Sequence, residues 1–158
     1  MSDICLRLFQ AADLDAIKTL TLECFDGVTI EQNLEVALGT FNRHDWRWRK
    51  ARQLDEDAAA NPTGIFVAES EGRVIGYITT RVDREAGKGR IPNLAVAAEF
   101  RGRGLGRQLI ERALEYFREQ ALEYAVIETL SQNSIGQHAY PACGFVEIAR
   151  QVHFARRL

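Results

Sequence analysis

The sequence predicts one mixed α/β domain, with a mostly antiparallel central sheet flanked by helices. Three observations lead there. The chain has 158 residues, spanning 1–158 as a single domain, which is an ordinary domain length. Its apolar periodicity changes at Asn61-Pro62-Thr63-Gly64, from helical before the break to strand-like after it. A charged, glycine-rich turn over residues 99–106 then joins a strand to the clearest amphipathic helix of the chain.

Each element has its own signal. Ile4 to Phe9 alternates in strand fashion. Asp13 precedes a stretch in which Leu14, Ile17, Leu20, Cys24 and Phe25 recur at helical spacing, and Gly27 ends it. A second helical region runs from about Ile30 to Ala60, interrupted over Asn42 to Trp48. Ile65–Glu69 and Val74–Val82, on either side of Ser70-Glu71-Gly72, read as a hairpin. Asp83 to Gly89 reads as a turn, and Ile91 to Ala97 as the next strand. Leu105, Leu109, Ile110, Ala113, Leu114, Phe117 and Ala121 form the apolar stripe of the helix from Leu105 to Ala121. Ala125–Leu130 is strand-like. Asn133 is placed to cap a short helix that Gly144 stops, and Phe145–Phe154 reads as closing strand.

Composition excludes several classes. The 20 Lys and Arg nearly balance the 22 Asp and Glu, leaving −2, against the basic excess usual for nucleic-acid binding. Cys5, Cys24 and Cys143 are widely spaced, with no C-x-x-C pair. A disulfide framework and a zinc site are therefore not expected, and neither is any other metal. The first residues carry no secretory pattern and no window approaches a membrane span, so the expected location is the cytoplasm.

Chemistry concentrates in Leu94-Ala95-Val96-Ala97-Ala98-Glu99-Phe100-Arg101-Gly102-Arg103-Gly104-Leu105-Gly106. A helix start presents free backbone N–H groups and the positive end of its dipole, and glycines let the backbone come close to a ligand. Arg101, Arg103 and Arg107 add positive charge. The expected ligand is a phosphate or pyrophosphate. The spacing misses the dinucleotide fingerprint, and the chain has no Gly-Lys-Ser or Gly-Lys-Thr for a nucleotide P-loop. What stands there is R-x-x-G-x-G, carried by Arg101, Gly104 and Gly106.

On these residues the sequence resembles the GNAT superfamily of N-acetyltransferases. The order of elements agrees over nearly the whole chain. A second signature follows, since Asn133, Gly136, Tyr140, Gly144 and Phe145 fit the family's N-x-x-A-x-x-x-Y-x-x-x-G-F, with Gly136 where Ala is usual and Pro141 as a further departure. The resemblance implies a sheet splayed between the strands near 91–97 and 125–130. It also implies acetyl-CoA as co-substrate and an acyltransferase moving acetyl directly onto a primary amine of a small molecule or protein.

Residue by residue, the resemblance implies that Gly102, Arg103, Gly104, Leu105, Gly106 and Arg107 cradle the pyrophosphate with Arg101. Leu94, Ala95 and Val96 would pair with the pantetheine arm, and a backbone N–H near Leu94 would hold the oxyanion. Asn133 would contact that arm or orient its helix. Tyr140 would protonate the leaving thiolate, which suits a phenol that is neutral at pH 7; otherwise it is a core aromatic. For the general base, Glu23, Asp45, Glu128 and a water wire stand level. Trp46 and Trp48, within Arg43-His44-Asp45-Trp46-Arg47-Trp48-Arg49-Lys50, would either line the acceptor pocket or pack in a half-exposed helix. A non-catalytic acyl-CoA sensor is the alternative function. A monomer or a homodimer fits equally, and no nucleic acid or membrane partner is expected.

Overall fold

A computed structural model describes residues 3–158. In chain order the elements are β1 (Ile4–Leu8), α1 (Leu14–Cys24), α2 (Ile30–Leu38), α3 (Trp46–Ala60), β2 (Phe66–Ser70), β3 (Arg73–Ile78), β4 (Arg81–Asp83), β5 (Lys88–Ile91), β6 (Leu94–Val96), α4 (Leu105–Glu119), β7 (Tyr124–Ile127) and α5 (Ser134–Ala142). The strands form two sheets, one in the order β1-β2-β3-β6 and fully antiparallel, the other in the order β4-β5-β7. In the second sheet β4 runs antiparallel to β5 and β7 runs parallel to it.

The expected second helical region is two helices. Gly39 takes a positive φ of 83° at the end of α2, a conformation that favours glycine. Asp45 then starts α3, its carboxylate accepting from the Trp48 N–H at 3.0 Å.

The long strands expected over Val74–Val82 and Ile91–Ala97 are each broken in two. Thr79-Thr80 interrupts the first and Pro92-Asn93 the second. The breaks lie opposite each other, joined by the Thr79 N–H donating to the Asn93 carbonyl at 2.9 Å. Proline lacks the ladder donor, so the hairpin bends there and its two halves enter different sheets. The turn expected over Asp83 to Gly89 is shorter, because Lys88 and Gly89 already pair with Asp83 and Val82.

This bend produces the splay that the resemblance implied. β5 and β7 pair from Lys88↔Tyr124 to Ile91↔Ile127. Beyond that point β6 has β3 on one side and, among the described residues, no strand on the other. Strand pairing in β7 stops at Ile127, short of the expected Leu130.

The core lies between the sheet and α1, α3 and α4, with Ile17, Leu54, Phe66, Ile75, Tyr77, Leu109 and Ile110 fully enclosed. Tyr116, absent from the predicted stripe, is buried on α4 and packs edge-on against Phe66 at 5.8 Å. The closing strand expected over Phe145–Phe154 does not form. From Val146 onward the chain is exposed and has no regular secondary structure. Its alternation satisfies the strand pattern, but among the described residues no strand pairs with it. No helix among the described residues is long and apolar enough to cross a membrane.

Candidate active site

The edge of β6 that faces the splay can be assigned from its hydrogen bonds. Asn93 offers its carbonyl to Thr79, and the Ala97 N–H donates to the Ile75 carbonyl at 2.8 Å. Backbone direction alternates along an antiparallel strand. Residues 93, 95 and 97 therefore face β3, and the N–H and C=O groups of Leu94 and Val96 face the gap. The Val96 carbonyl bears this out by accepting from outside the sheet. Arg101 Nε donates to it at 3.0 Å and the Cys24 thiol at 3.4 Å. Neither contact was foreseen. Burial pushes the Cys24 thiol up, with Arg101 opposing.

The glycine loop follows directly. Ala97 leads into a 3-10 turn over Ala98–Phe100, tied down by an Arg73–Glu99 ion pair of 2.8 Å. Gly102 and Gly104 take positive φ values of 73° and 79°, and a Cβ built on either meets nothing within 4 Å. Their conformation requires glycine while their outer face stays open, as an approaching ligand would need. Gly104 caps α4 with no side-chain cap, so the first N–H groups of the helix are unclaimed by a capping side chain. Arg103 lies over the Phe100 ring at 5.3 Å, and Arg103 and Arg107 are exposed beside the loop.

The second signature assembles around α5. The Asn133 side chain accepts from the Gly136 N–H at 3.3 Å and caps the helix. A Cβ on Gly136 would meet Thr129 Oγ1 at 2.6 Å and Thr129 Cβ at 3.1 Å. The usual alanine has no room here because a β-branched threonine fills the space. Pro141 is accommodated in the last turn, where Cys143 N–H still reaches the Ala139 carbonyl at 3.2 Å. Gly144, at a positive φ of 87°, ends the helix.

Tyr140 is half-buried, packed on the core and edge-on to Phe145 at 6.4 Å. Its phenol is pushed up to about 12, first by burial and then by the neighbouring Cys143 and Glu128. Glu128 is thus close enough for its charge to reach Tyr140, although its carboxylate pairs with Arg90 at 3.0 Å. Glu23 is exposed at the end of α1, and Asp45 serves α3 as its cap. The three candidate bases therefore sit on or beside different elements. Trp46 and Trp48 also part company, with 3% and 42% of their surface exposed. Trp48 stacks on His44 at 3.7 Å between ring centres. Among the described residues, no group of three or more His, Cys, Asp and Glu side chains could hold a metal ion.

A buried polar cluster next to β6 escaped the sequence reading. Asp57 accepts from Thr79 Oγ1 at 2.7 Å, Asn93 Nδ2 at 2.8 Å, and Arg81 Nε and Nη2 at 2.9 and 2.7 Å. Lys50 Nζ donates to Asn93 Oδ1 at 2.7 Å and lies over the Phe25 ring at 4.2 Å. The available signal was the spacing Lys50, Leu54, Asp57, which puts two charges on the apolar face of one helix.

Residues 16–145 match the model of the acetyltransferase (GNAT) family. The mycothiol acetyltransferase of Tsukamurella paurometabola is 31% identical over 166 aligned residues, covering 91% of this chain and 56% of that protein. That of Rhodococcus opacus is 27% identical, covering 93% and 52%. The chain spans about half the length of these curated relatives. An uncharacterized N-acetyltransferase of Methanocaldococcus jannaschii is 30% identical, covering 89% of this chain and 76% of that protein. In fold, the chain is similar to the aminoglycoside N-acetyltransferase AAC(6')-Iy solved with CoA. The TM-score is 0.71 at 19% identity, over 100% of this chain and 97% of that one.

Proposed function

This chain belongs to the GNAT family of acetyltransferases, and from that premise we propose that it transfers an acetyl group from acetyl-CoA to a primary amine. The observation that carries the reading is the continuity of β6 into the glycine loop. The outward backbone groups of Leu94 and Val96 lead to the open turn at Gly102 and Gly104 and the start of α4. One edge suits an extended amide-bearing arm and the other end suits a pyrophosphate. Arg101, Arg103, Gly106 and Arg107 serve the phosphates, and Ala95 sets the strand's register against Tyr77.

The chemistry asks little of the protein. The amine nitrogen attacks the thioester carbonyl, a C–N bond forms, and negative charge gathers on the oxygen. The Leu94 N–H faces that oxygen's expected position and stabilises it. As the C–S bond breaks, Tyr140 gives its proton to the departing sulfur. The proton that the amine loses goes to a carboxylate or to water. Of Glu23, Asp45 and Glu128, Glu128 is the one whose charge helps to raise the Tyr140 phenol. Seating the arm on β6 requires Arg101 and Cys24 to release the Val96 carbonyl. Trp48 offers an exposed ring for an acceptor, and Trp46 supports α3 from within.

The test is thiol release from acetyl-CoA over a panel of primary amines, with acetyl-CoA binding measured separately. Binding with amine-dependent release is expected. Tight binding without release on any amine would favour an acyl-CoA sensor, and no binding would defeat both readings. Trp48→Ala should raise the acceptor KM at unchanged acetyl-CoA affinity. An unchanged acceptor KM removes Trp48 from the pocket.

A further inference from the structure

Arg81 and Arg90 stand directly opposite each other on β4 and β5. Residues so placed share one face of the sheet, and like charges there repel. Their neighbours fix which face it is. A Cβ on Gly89 would meet the Phe117 ring of α4 at 2.6 Å, so alternation turns Arg90 away from α4. Ile127 packs on the core, so Glu128, the next residue, turns the same way as Arg90. Arg81 agrees, since it reaches Asp57 on α3. The face lies at the foot of the splay, because Ile91↔Ile127 is the last pairing before the strands part.

Each arginine has one carboxylate. Asp57 is buried and takes Arg81 through both Nε and Nη2. Glu128 takes Arg90 through Nε alone, at 3.0 and 3.2 Å. Among the described residues, the two terminal nitrogens of Arg90 donate to nothing. They present the planar pair of N–H groups that suits a carboxylate. The Arg90 and Glu128 side chains are 48% and 62% exposed, and an ion pair so exposed is weakly held.

An acceptor amine arrives at neutral pH largely as an ammonium ion. Its natural partner at the foot of the splay is Glu128. Once that carboxylate turns to the ammonium, Arg90 stands beside Arg81 without a counter-ion. An acceptor that brings its own carboxylate restores the balance.

Resting on the proposed acetyl transfer, we infer that the acceptor is a free α-amino acid, its carboxylate held by Arg90 and its ammonium by Glu128. The zwitterion carries the two charges of the Arg90–Glu128 pair in reverse, so it replaces one ion pair with two. A protein N-terminus has an amide in place of that carboxylate and would leave Arg90 unpaired. Glu128 takes one proton from the ammonium and passes it to water. The freed nitrogen attacks the thioester, the C–N bond forms and the C–S bond breaks. The second proton lost by nitrogen restores the phenol with which Tyr140 protonated the sulfur. The N-acetyl product no longer has an ammonium for Glu128, which favours its release.

The test sets each common primary α-amino acid beside its C-terminal amide and reads thiol release from acetyl-CoA. The best amino acid should exceed its amide in kcat/KM by about tenfold or more, as a charge-assisted pair contributes. Calorimetry on the CoA-saturated protein gives a reading independent of turnover, and the same acid should bind about tenfold more tightly than its amide. Arg90→Gln should erase both preferences at unchanged acetyl-CoA affinity. Arg90→Lys keeps the charge without the planar fork and should retain part of them. Parity of acid and amide in the wild type overturns the inference, as does an Arg90→Gln variant that keeps the preference. In either case amine-dependent release leaves the acetyl transfer standing. Release with no acid and no amide overturns both.

Discussion

Tyr140→Phe should lower kcat by about 10²–10⁴-fold, the range a positioned proton donor contributes, with acetyl-CoA affinity unchanged. The ring keeps its edge-on contact with Phe145 and its place against the core, so the substitution removes the hydroxyl and little else. The pH profile adds a second, independent reading. An ordinary tyrosine titrates at 10.0, and burial with nearby Glu128 raises this one to about 12. A raised value keeps the neutral, donating form present at higher pH. The wild-type rate should therefore show no loss near pH 10 attributable to this group. Activity of the phenylalanine variant equal to wild type would remove Tyr140 from the chemistry. A wild-type kcat that falls with a midpoint near 10 would show a solvent-exposed phenol and contradict the packing.

What the sequence made legible follows from how local each signal is. The turn before α4 depends at Gly102 and Gly104 on backbone conformations that glycine alone adopts freely, so residue identity reveals geometry there. The same holds for Asn133 as a cap and Gly144 as a stop, which the structure confirms to the residue. Strand continuity was less visible. Val74–Val82 and Ile91–Ala97 each read as one β-rich run, although Pro92 was in plain view. The bend combines Pro92 with a tertiary network around Asp57, whose partners Thr79, Arg81 and Asn93 lie 22 to 36 residues away in sequence. Periodicity cannot report such contacts. The end of the chain failed for the opposite reason. Phe145–Phe154 has the right alternation, but a strand exists only beside another strand, and among the described residues none pairs with it. Val96 shows a further limit. That Cys24 and Arg101 would both seek its carbonyl required α1 and the loop to be placed in space.

Asp57→Ala should be the most damaging substitution outside the reacting groups, costing about 3–5 kcal/mol as expected when one partner of a buried charged network is removed. For a domain of this size that corresponds to a fall in Tm of roughly 6–20 °C. The Arg81 side chain reaches solvent, so most of the loss falls on Thr79 and Asn93, which are fully enclosed and would lose their shared acceptor. Lys50 supplies a pH signature. Burial lowers its amine to about 8, while Asp57 and then Glu31 hold it up. Without Asp57 the folded state releases this proton earlier, whereas the unfolded chain keeps it to 10.5. Over that interval the unfolded variant binds more protons than the folded one, so its stability rises with pH. The deficit relative to wild type should shrink as the pH rises toward 8 and level off above. Denaturant titrations below and at pH 8 measure it, and a deficit that is constant or grows with pH would rule out the coupling. Asp57→Asn keeps one acceptor oxygen and should lose less. The cluster matters beyond stability because Asn93 is the residue before Leu94. Asp57 fixes where β5 ends and β6 begins, and so fixes the outward N–H on which the proposed acetyl transfer depends.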